Sequence, residues 1–569
     1  MKKINRLTLV LTLMAAGLFA GCASDEEATR ENQKIALDGS HFKFTEVAYQ
    51  ADQAMTRAAA SVKPTTVDLG DGLEAEVSVT PDAPTGKTRA VDPISDGKYT
   101  ILAFDPTTHD LQGKLEGSVT GGVFTPDAGQ KLLLDPGTYD FTCFSEPVVY
   151  DEPNNRLVVN HFLTKNPMIG HVQATIADDD YEVAFNMEHK AIRVRFNITS
   201  DILSENTPID AYLKGGVPGP WYWMHDWYTA YSGVLNNAGN GDYTADVPLN
   251  FKTVAPVTTQ AGTTYTSDYV YMLPGIDGHD HISNYPIHFN AGTIGGASLV
   301  GKTVGVGTGF QWAINQSITI NVNVKGQLYL FEDGKARVLA GKGTHTPIGL
   351  VIQQKWEPTN QKGMACALEI IKKSVPPAYA WEDETKTLPS NPDHLNTTVY
   401  NGVHDGQNDM NGYNWTWDAN STKDHVVRGN EQEKYPAFYQ AGHYTPSNAT
   451  ITGANIGKWY MPAAGEVMKL FRLFGTATVP ANEPWRGYCN MAQTDIDKML
   501  AAFTKVNSGL LLQYQFLWTS TVCDAANTGG FGPYSPVSFC INGNGPGQIW
   551  WPTFQKTGAN FYILPFVHF

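Results

Sequence analysis

Three observations predict a mainly β protein: two β-sandwich units followed by an α+β module. Charged residues make up only 17% of the chain, against 54 Gly, 33 Pro and 11% aromatics. That balance favours short strands and turns over long helices. Segments of strict two-residue alternation recur between residues 66 and 327, the period of a half-buried strand. Beyond about Leu328, Gly, Asn, Asp and Trp rise and helical spacing appears. A chain of 569 residues holds several domains of roughly 100–200 residues each. The divisions expected are a leader at 1–21, a tether or propeptide at 22–65, sandwiches at 66–173 and 174–327, and the last module at 328–569.

The leader opens with Lys2, Lys3 and Arg6, followed by Leu7 to Ala20, apolar apart from two threonines. This is a secretory signal, too short for a span of about 20 apolar residues. Ala20-Gly21-Cys22 reads as a lipobox, which makes Cys22 the lipidated first residue of the mature chain. No later apolar run is long enough to cross a bilayer.

In the first sandwich, "LEAEVSV" (Leu73 to Val79) sets Leu73, Ala75, Val77 and Val79 on one face and Glu74, Glu76 and Ser78 on the other. A Pro/Gly loop carrying Lys87 and Arg89 follows. "GKYTILAFD" is apolar on both faces and is expected to be a central strand. "LLLDPGTYDFTCF" holds the turn Asp135-Pro136-Gly137 and a further alternating strand. In the second sandwich, Ile192, Val194 and Phe196 share a face, as do Ile318, Ile320, Val322 and Val324. In the last module, Glu466 to Phe474 and Thr494 to Phe503 have helical spacing. Gly475 stops the first, and Thr494 with Asp497 forms a capping box for the second. The chain closes on "ANFYILPFVHF", apolar on both faces and read as the module's own buried strand.

The net charge of −16 argues against nucleic acid as a partner, which calls for a basic footprint. Cys143, Cys366, Cys489, Cys523 and Cys540 accompany Cys22, and one or two disulfides among the last four are expected. Asp277, His279, Asp280 and His281 lack the ligand spacing of a metal site and read as a polar turn. Asp405, Asn408, Asp409, Asn411 and Asp418 are oxygen-rich but lack the EF-hand pattern, so no metal or cofactor is expected. Trp415 and Trp417, on one face if the segment is a strand, combine with Trp550, Trp551, Tyr534, Asp409 and Asn411 as candidate ligand-binding residues. Ring faces stack on sugar C–H patches and amides bond hydroxyls. The same rings would also fill the core of a small domain. There is no G-x-S-x-G, H-E-x-x-H or Walker motif, so no enzyme is expected.

The stretch "LEAEVSVTPDAPTGKTRAVDPISDGKYTILAFD" resembles the start of Bacteroidales fimbrillins, and "LDPGTYDFTCF", "FNMEHKAIRVRF" and "YVYMLPG" are similar to their later landmarks, in order, over residues 66–326. Ser24-Asp25-Glu26-Glu27 resembles the acidic signal that sends lipoproteins of that order to the outer face of the outer membrane. From Leu328 on, "GKWYMPAAGEVMKLF", with Trp459, Pro462 and Glu466, and "FLWTSTV", with Trp518, Thr519, Ser520 and Thr521, resemble a bacterial C-type-lectin-like module. The resemblance implies transthyretin-like sandwiches, and a surface lipoprotein cut between Arg89 and Ala90, with Arg57 as the competing site. It also implies a type V pilus assembled by donor-strand exchange with other fimbrillin subunits. The buried closing strand then implies a tip adhesin whose head binds a glycan or a host or bacterial protein. The rival expectation is a surface-anchored glycan-binding lipoprotein that does not polymerise.

Overall fold

The computed structural model describes residues 34–49, 64–82, 94–160, 162–178, 180–215, 223–240, 246–273, 285–306, 313–372, 379–383, 393–481, 486–507, 512–524, 534–542, 547–557 and 559–569. Cys22, Arg57, Arg89, Ala90 and Asp277 to His281 lie outside them. The described residues are mainly β, as the composition predicts.

The first unit is a seven-stranded sheet. Its order is Phe42–Glu46, Val183–His189, Met168–Ile176, Gly137–Ser145, Gly97–Phe104, Leu111–Thr120 and Val123–Pro126. Ile101, Ala103 and Phe141 face a core closed by the paired strands Ile35–Leu37 and Leu132–Leu134. Leu102, Phe104 and Phe144 face the opposite way, onto Leu157, Val159 and Tyr228 of a separate four-stranded sheet. Gly97–Phe104 therefore buries both faces, which is why both of its faces are apolar.

In the second unit, the main path of the larger sheet runs Phe162–Leu163, Val270–Met272, Ile192–Ser200, Ser317–Gly326, Leu73–Pro81 and Thr65–Gly70. Its inner face packs on a four-stranded sheet through Ala211, Leu213, Ile287 and Phe289. Leu73, Ala75 and Val77 are buried and Val79 partly so, as alternation predicts.

Sheet membership departs from chain order in two places. Leu73–Pro81, expected with residues 66–173, is hydrogen-bonded into the second unit. Met168–Ile176 and Val183–His189, which straddle or follow the expected boundary at 173, belong to the first. Period-two alternation specifies which face a strand buries, not which strand it pairs with.

The third unit continues the core of the second. A six-stranded sheet runs Ala336–Val338, Leu328–Phe331, Pro347–Gln353, Met364–Ala367, Phe566–His568 and Trp459–Tyr460, and a four-stranded sheet runs Arg486–Asn490, Gln548–Pro552, Ser535–Ile541 and Phe516–Cys523. The helix Ala464–Phe474 buries Val467, Leu470 and Phe471 and ends at Gly475. The helix Gln493–Thr504 has Ala492 at its N-cap, two residues before the expected cap Thr494. Thr494 therefore lies inside the first turn, and the box with Asp497 does not form. The five described cysteines are free and buried, so the expected disulfides are absent among them. Among the described residues no helix is long and apolar enough to cross a membrane.

Candidate functional site

In the third unit, the two quoted signatures meet at the start of helix Ala464–Phe474. The Glu466 carboxylate accepts the Ala463 N–H at 2.8 Å and the Tyr460 hydroxyl at 3.2 Å, and so caps the helix from its third position. Thr521 Oγ1 accepts the Ala464 N–H at 2.8 Å and donates to Asp409 Oδ2 at 2.7 Å. Burial, and then the Asp409 charge, push the Glu466 carboxyl well above its ordinary value. Burial also raises Asp409, against the donors Thr521, Asn411 and Trp415. These motif residues build the fold and face no solvent.

The same hub absorbs most of the expected ligand set. Trp415 is 3% exposed and donates its indole N–H to Asp409 at 2.9 Å; Asp409 and Trp551 are wholly buried. A ring or carboxylate enclosed in the core has no face to offer, which removes Trp415, Trp551 and Asp409 from the set. Trp415 and Trp417 lie on the short helix Gly412–Trp417, not on a strand. At 3.6 residues per turn they point about 200° apart. Trp417 is half-buried and donates to the Trp459 carbonyl at 2.8 Å. Trp550 and Tyr534 are half-buried against Phe516 and the Trp381 cluster respectively. Asn411 donates its backbone N–H to Asp409 at 3.0 Å. The structure does not gather these seven residues into one surface. Two acids of the oxygen-rich run are spent internally, Asp409 in this hub and Asp418 as the cap of the turn Ala419–Ser421, while Asp405 and Asn408 are exposed.

What the third unit does present is a cleft of about 350 Å³ beside Tyr413, lined also by Lys355, Gln361, Lys362, Asn455 and His568. The Tyr413 ring lies 5.6 Å from His568 and 5.6 Å, edge-on, from Tyr460. Lys362 Nζ sits 5.8 Å from the ring centroid. Burial, then the Lys362 charge, lower His568 to about 4, so it stands neutral near pH 7, within reach of the Tyr460 hydroxyl at 3.3 Å. An aromatic ring flanked by amides and ammonium groups suits a sugar or a polar peptide. Tyr413 lies in the same short aromatic stretch as Trp415 and Trp417. The other lining residues come from segments far apart in the chain.

The second candidate is a strand position. Leu73–Pro81 pairs antiparallel with Ser317–Gly326 through nine residue pairs, from Leu73↔Gly326 to Pro81↔Ile318. On its other side it pairs only with Thr65–Gly70, the strand just before it. On the outer face, Glu76 meets Lys325 at 2.6 Å. In the sequence, Arg89 follows this hairpin and precedes the strand Gly97–Phe104.

No protein-family model matches the chain, and no curated protein does. Solved structures do. A fimbrial protein of Bacteroides ovatus is 10% identical over 95% of this chain and 100% of its own, with a TM-score of 0.27. A candidate cell adhesion protein of Bacteroides fragilis is 15% identical over 50% of this chain and 93% of its own, at 0.30. One of Bacteroides uniformis is 12% identical over 52% and 99%, at 0.25. Likeness at this level carries no argument about ligand, partner or assembly.

Proposed function

We propose that the chain is a cell-surface adhesin of the fimbrillin kind. It is anchored through Cys22 as a precursor, released by a cut between Arg89 and Ala90, and carried at the tip of a pilus. The observation that supports this is the placement of Leu73–Pro81: one strand in from the edge of its sheet and N-terminal to Arg89, with its backbone ladder made only to its own hairpin partner and to Ser317–Gly326. A cut after Arg89 followed by release would take away four strands, Ile35–Leu37, Phe42–Glu46, Thr65–Gly70 and Leu73–Pro81. It would uncover the backbone edge of Ser317–Gly326 and the apolar faces of its neighbours. Each large aliphatic side chain returned to water costs about 1.5–3 kcal/mol, and an open edge recruits a strand. Another subunit's strand would close it by β-augmentation.

The tip position is supported by the head. Phe566–His568 lies between Met364–Ala367 and Trp459–Tyr460, so it is committed to its own sheet and is a poor donor. The Tyr413 cleft is the surface for a glycan or protein ligand, and the role is adhesive, not catalytic. N-terminal sequencing of protein shed from cells tests the cut: a start at Ala90 is expected, and a start at Cys22 or Ala58 would overturn it. Tyr413→Ala with Lys362→Ala should abolish glycan-array or host-matrix binding while the unit stays folded, with only a modest fall in its thermal midpoint from the lost ring contacts. Binding that survives both changes would move the ligand elsewhere.

A further inference from the structure

Asp82 follows directly on Leu73–Pro81 and is held by a set of donors none of which belongs to the N-terminal segment. Its backbone N–H donates to the Ser317 carbonyl at 2.9 Å. One carboxylate oxygen accepts the Ser317 hydroxyl at 2.6 Å and the Tyr269 hydroxyl at 2.7 Å. The other accepts the Thr319 hydroxyl at 2.5 Å and Arg195 Nη2 at 3.3 Å. The side chain is 9% exposed. Burial alone would raise this carboxyl; the three hydroxyls and the Arg195 charge outweigh it and hold it below its ordinary value.

The cradle is itself pre-set. Arg193 Nε donates to Ser317 Oγ at 2.6 Å, and Arg195 Nε donates to Thr319 Oγ1 at 2.9 Å. Each hydroxyl therefore already accepts from a guanidinium and turns its own hydrogen toward Asp82. Both guanidiniums also lie over the Tyr269 ring, at 4.7 and 5.1 Å. Four donors converging on two oxygens suit a carboxylate; an amide would set N–H groups against one of the two donor pairs. The same sign pattern runs along the hairpin, where Asp71 meets Lys302 at 2.7 Å and Glu76 meets Lys325 at 2.6 Å. Those two pairs are more open to water and weaker, so the Asp82 cradle carries the selectivity. Tyr49, whose ring lies 4.0 Å from the Arg193 guanidinium, also precedes Arg89. Loss of the segment would thus take acids and an aromatic ring away and leave cations behind.

We propose that the strand which replaces Leu73–Pro81 is selected by a carboxylate: an acidic residue nine positions after its first inward apolar residue, received by Arg195, Tyr269, Ser317 and Thr319. This rests on the reading that the N-terminal segment is released, and it adds the chemistry of the partner. The test uses the full chain cleaved after Arg89, incubated with a fluorescent peptide of residues 64–82, with uptake followed by anisotropy and gel filtration. Uptake of the native peptide is expected. The peptide carrying Asp82→Asn should bind roughly ten-fold or more weakly, as for a lost charge-assisted bond. In Arg195→Gln protein, or in Tyr269→Phe protein, which keeps the ring stack, that preference should shrink. Equal uptake of the two peptides by unmodified protein, or a preference untouched by both protein variants, would overturn the carboxylate selection and leave strand release standing. Failure of the native peptide to enter at all would overturn strand release, and this proposal with it.

Discussion

Two strands near opposite ends of the chain are each embedded in a sheet, and they are held in different ways. Leu73–Pro81 is long, alternates strictly, and pairs with one strand outside its own hairpin. The strand and Asp82 directly after it contribute acids, and the elements they pack on contribute the cations. Phe566–His568 is short, apolar and flanked by strands on both sides. Around it the backbone is tied to distant segments: Ile563 and Pro565 carbonyls accept from Ile371 and Ala367, and Phe569 exchanges two bonds with Gly363. The first arrangement is modular, because any strand with the same alternation and charge would satisfy it. The second is particular to one sequence, since its contacts depend on irregular backbone that a generic strand would not reproduce.

The largest effect should come from deleting Phe561–Phe569. The head's sheet would lose the strand joining Met364–Ala367 to Trp459–Tyr460, and its near-UV circular dichroism should collapse. Cleavage after Arg89 should leave the head's signal intact. A head that melts normally after the deletion would erase the distinction between the two strands.

Two imidazoles sharpen the comparison. His568 and His189 are each lowered to about 4 from 6.5, by burial first and then by Lys362 and Arg193 respectively. A histidine with a depressed folded value takes up protons more readily when unfolded. Its contribution is therefore present above pH 6.5 and lost as pH falls toward 4, by about 3 kcal/mol for each ring. His189 owes part of its burial to Tyr49, stacked on it at 3.7 Å. Removal of residues 1–89 should therefore bring the His189 titration back toward 6.5 while His568 stays low, as read by NMR. Two rings that move together, or not at all, would contradict separate attachment of the two ends.

The smallest effect belongs to Lys325→Gln. The pair with Glu76 is about half exposed on the lysine side, and such pairs contribute roughly 0–1 kcal/mol. Urea midpoints should barely shift, and the shift should vanish in high salt. A loss as large as that from Val77→Asp, which buries a charge in the core face, would mean that the outer face of the hairpin holds it as firmly as the inner one.

Local periodicity made much of this fold legible. Leu73, Ala75 and Val77, Ile192, Val194 and Phe196, and Ile318, Ile320, Val322 and Val324 are buried where alternation puts them. The helix beginning near Glu466 follows from the spacing of Val467, Leu470 and Phe471. Pairing was not legible, because Leu73 meets Gly326 across some 250 residues and alternation is blind to distance. The candidate site was read least well. Tryptophans in a domain poor in charge are as consistent with a core as with a ligand surface, and Trp415 and Trp551 are core. The cleft depends on Lys355, Lys362, Tyr413 and His568, whose meeting is set by the six-stranded sheet and the loops around it.

The free thiols carry a consequence for the chemical surroundings the protein tolerates. Cys143, Cys366, Cys489, Cys523 and Cys540 are buried, and burial raises all five, Cys489 to about 12 and Cys540 to about 11. A thiol so held is not a thiolate at neutral pH, and the thiolate is the species that exchanges disulfides. Once folded, the described units need no oxidant to mature and lose nothing to a reductant. Their cohesion is the same on either side of a redox boundary.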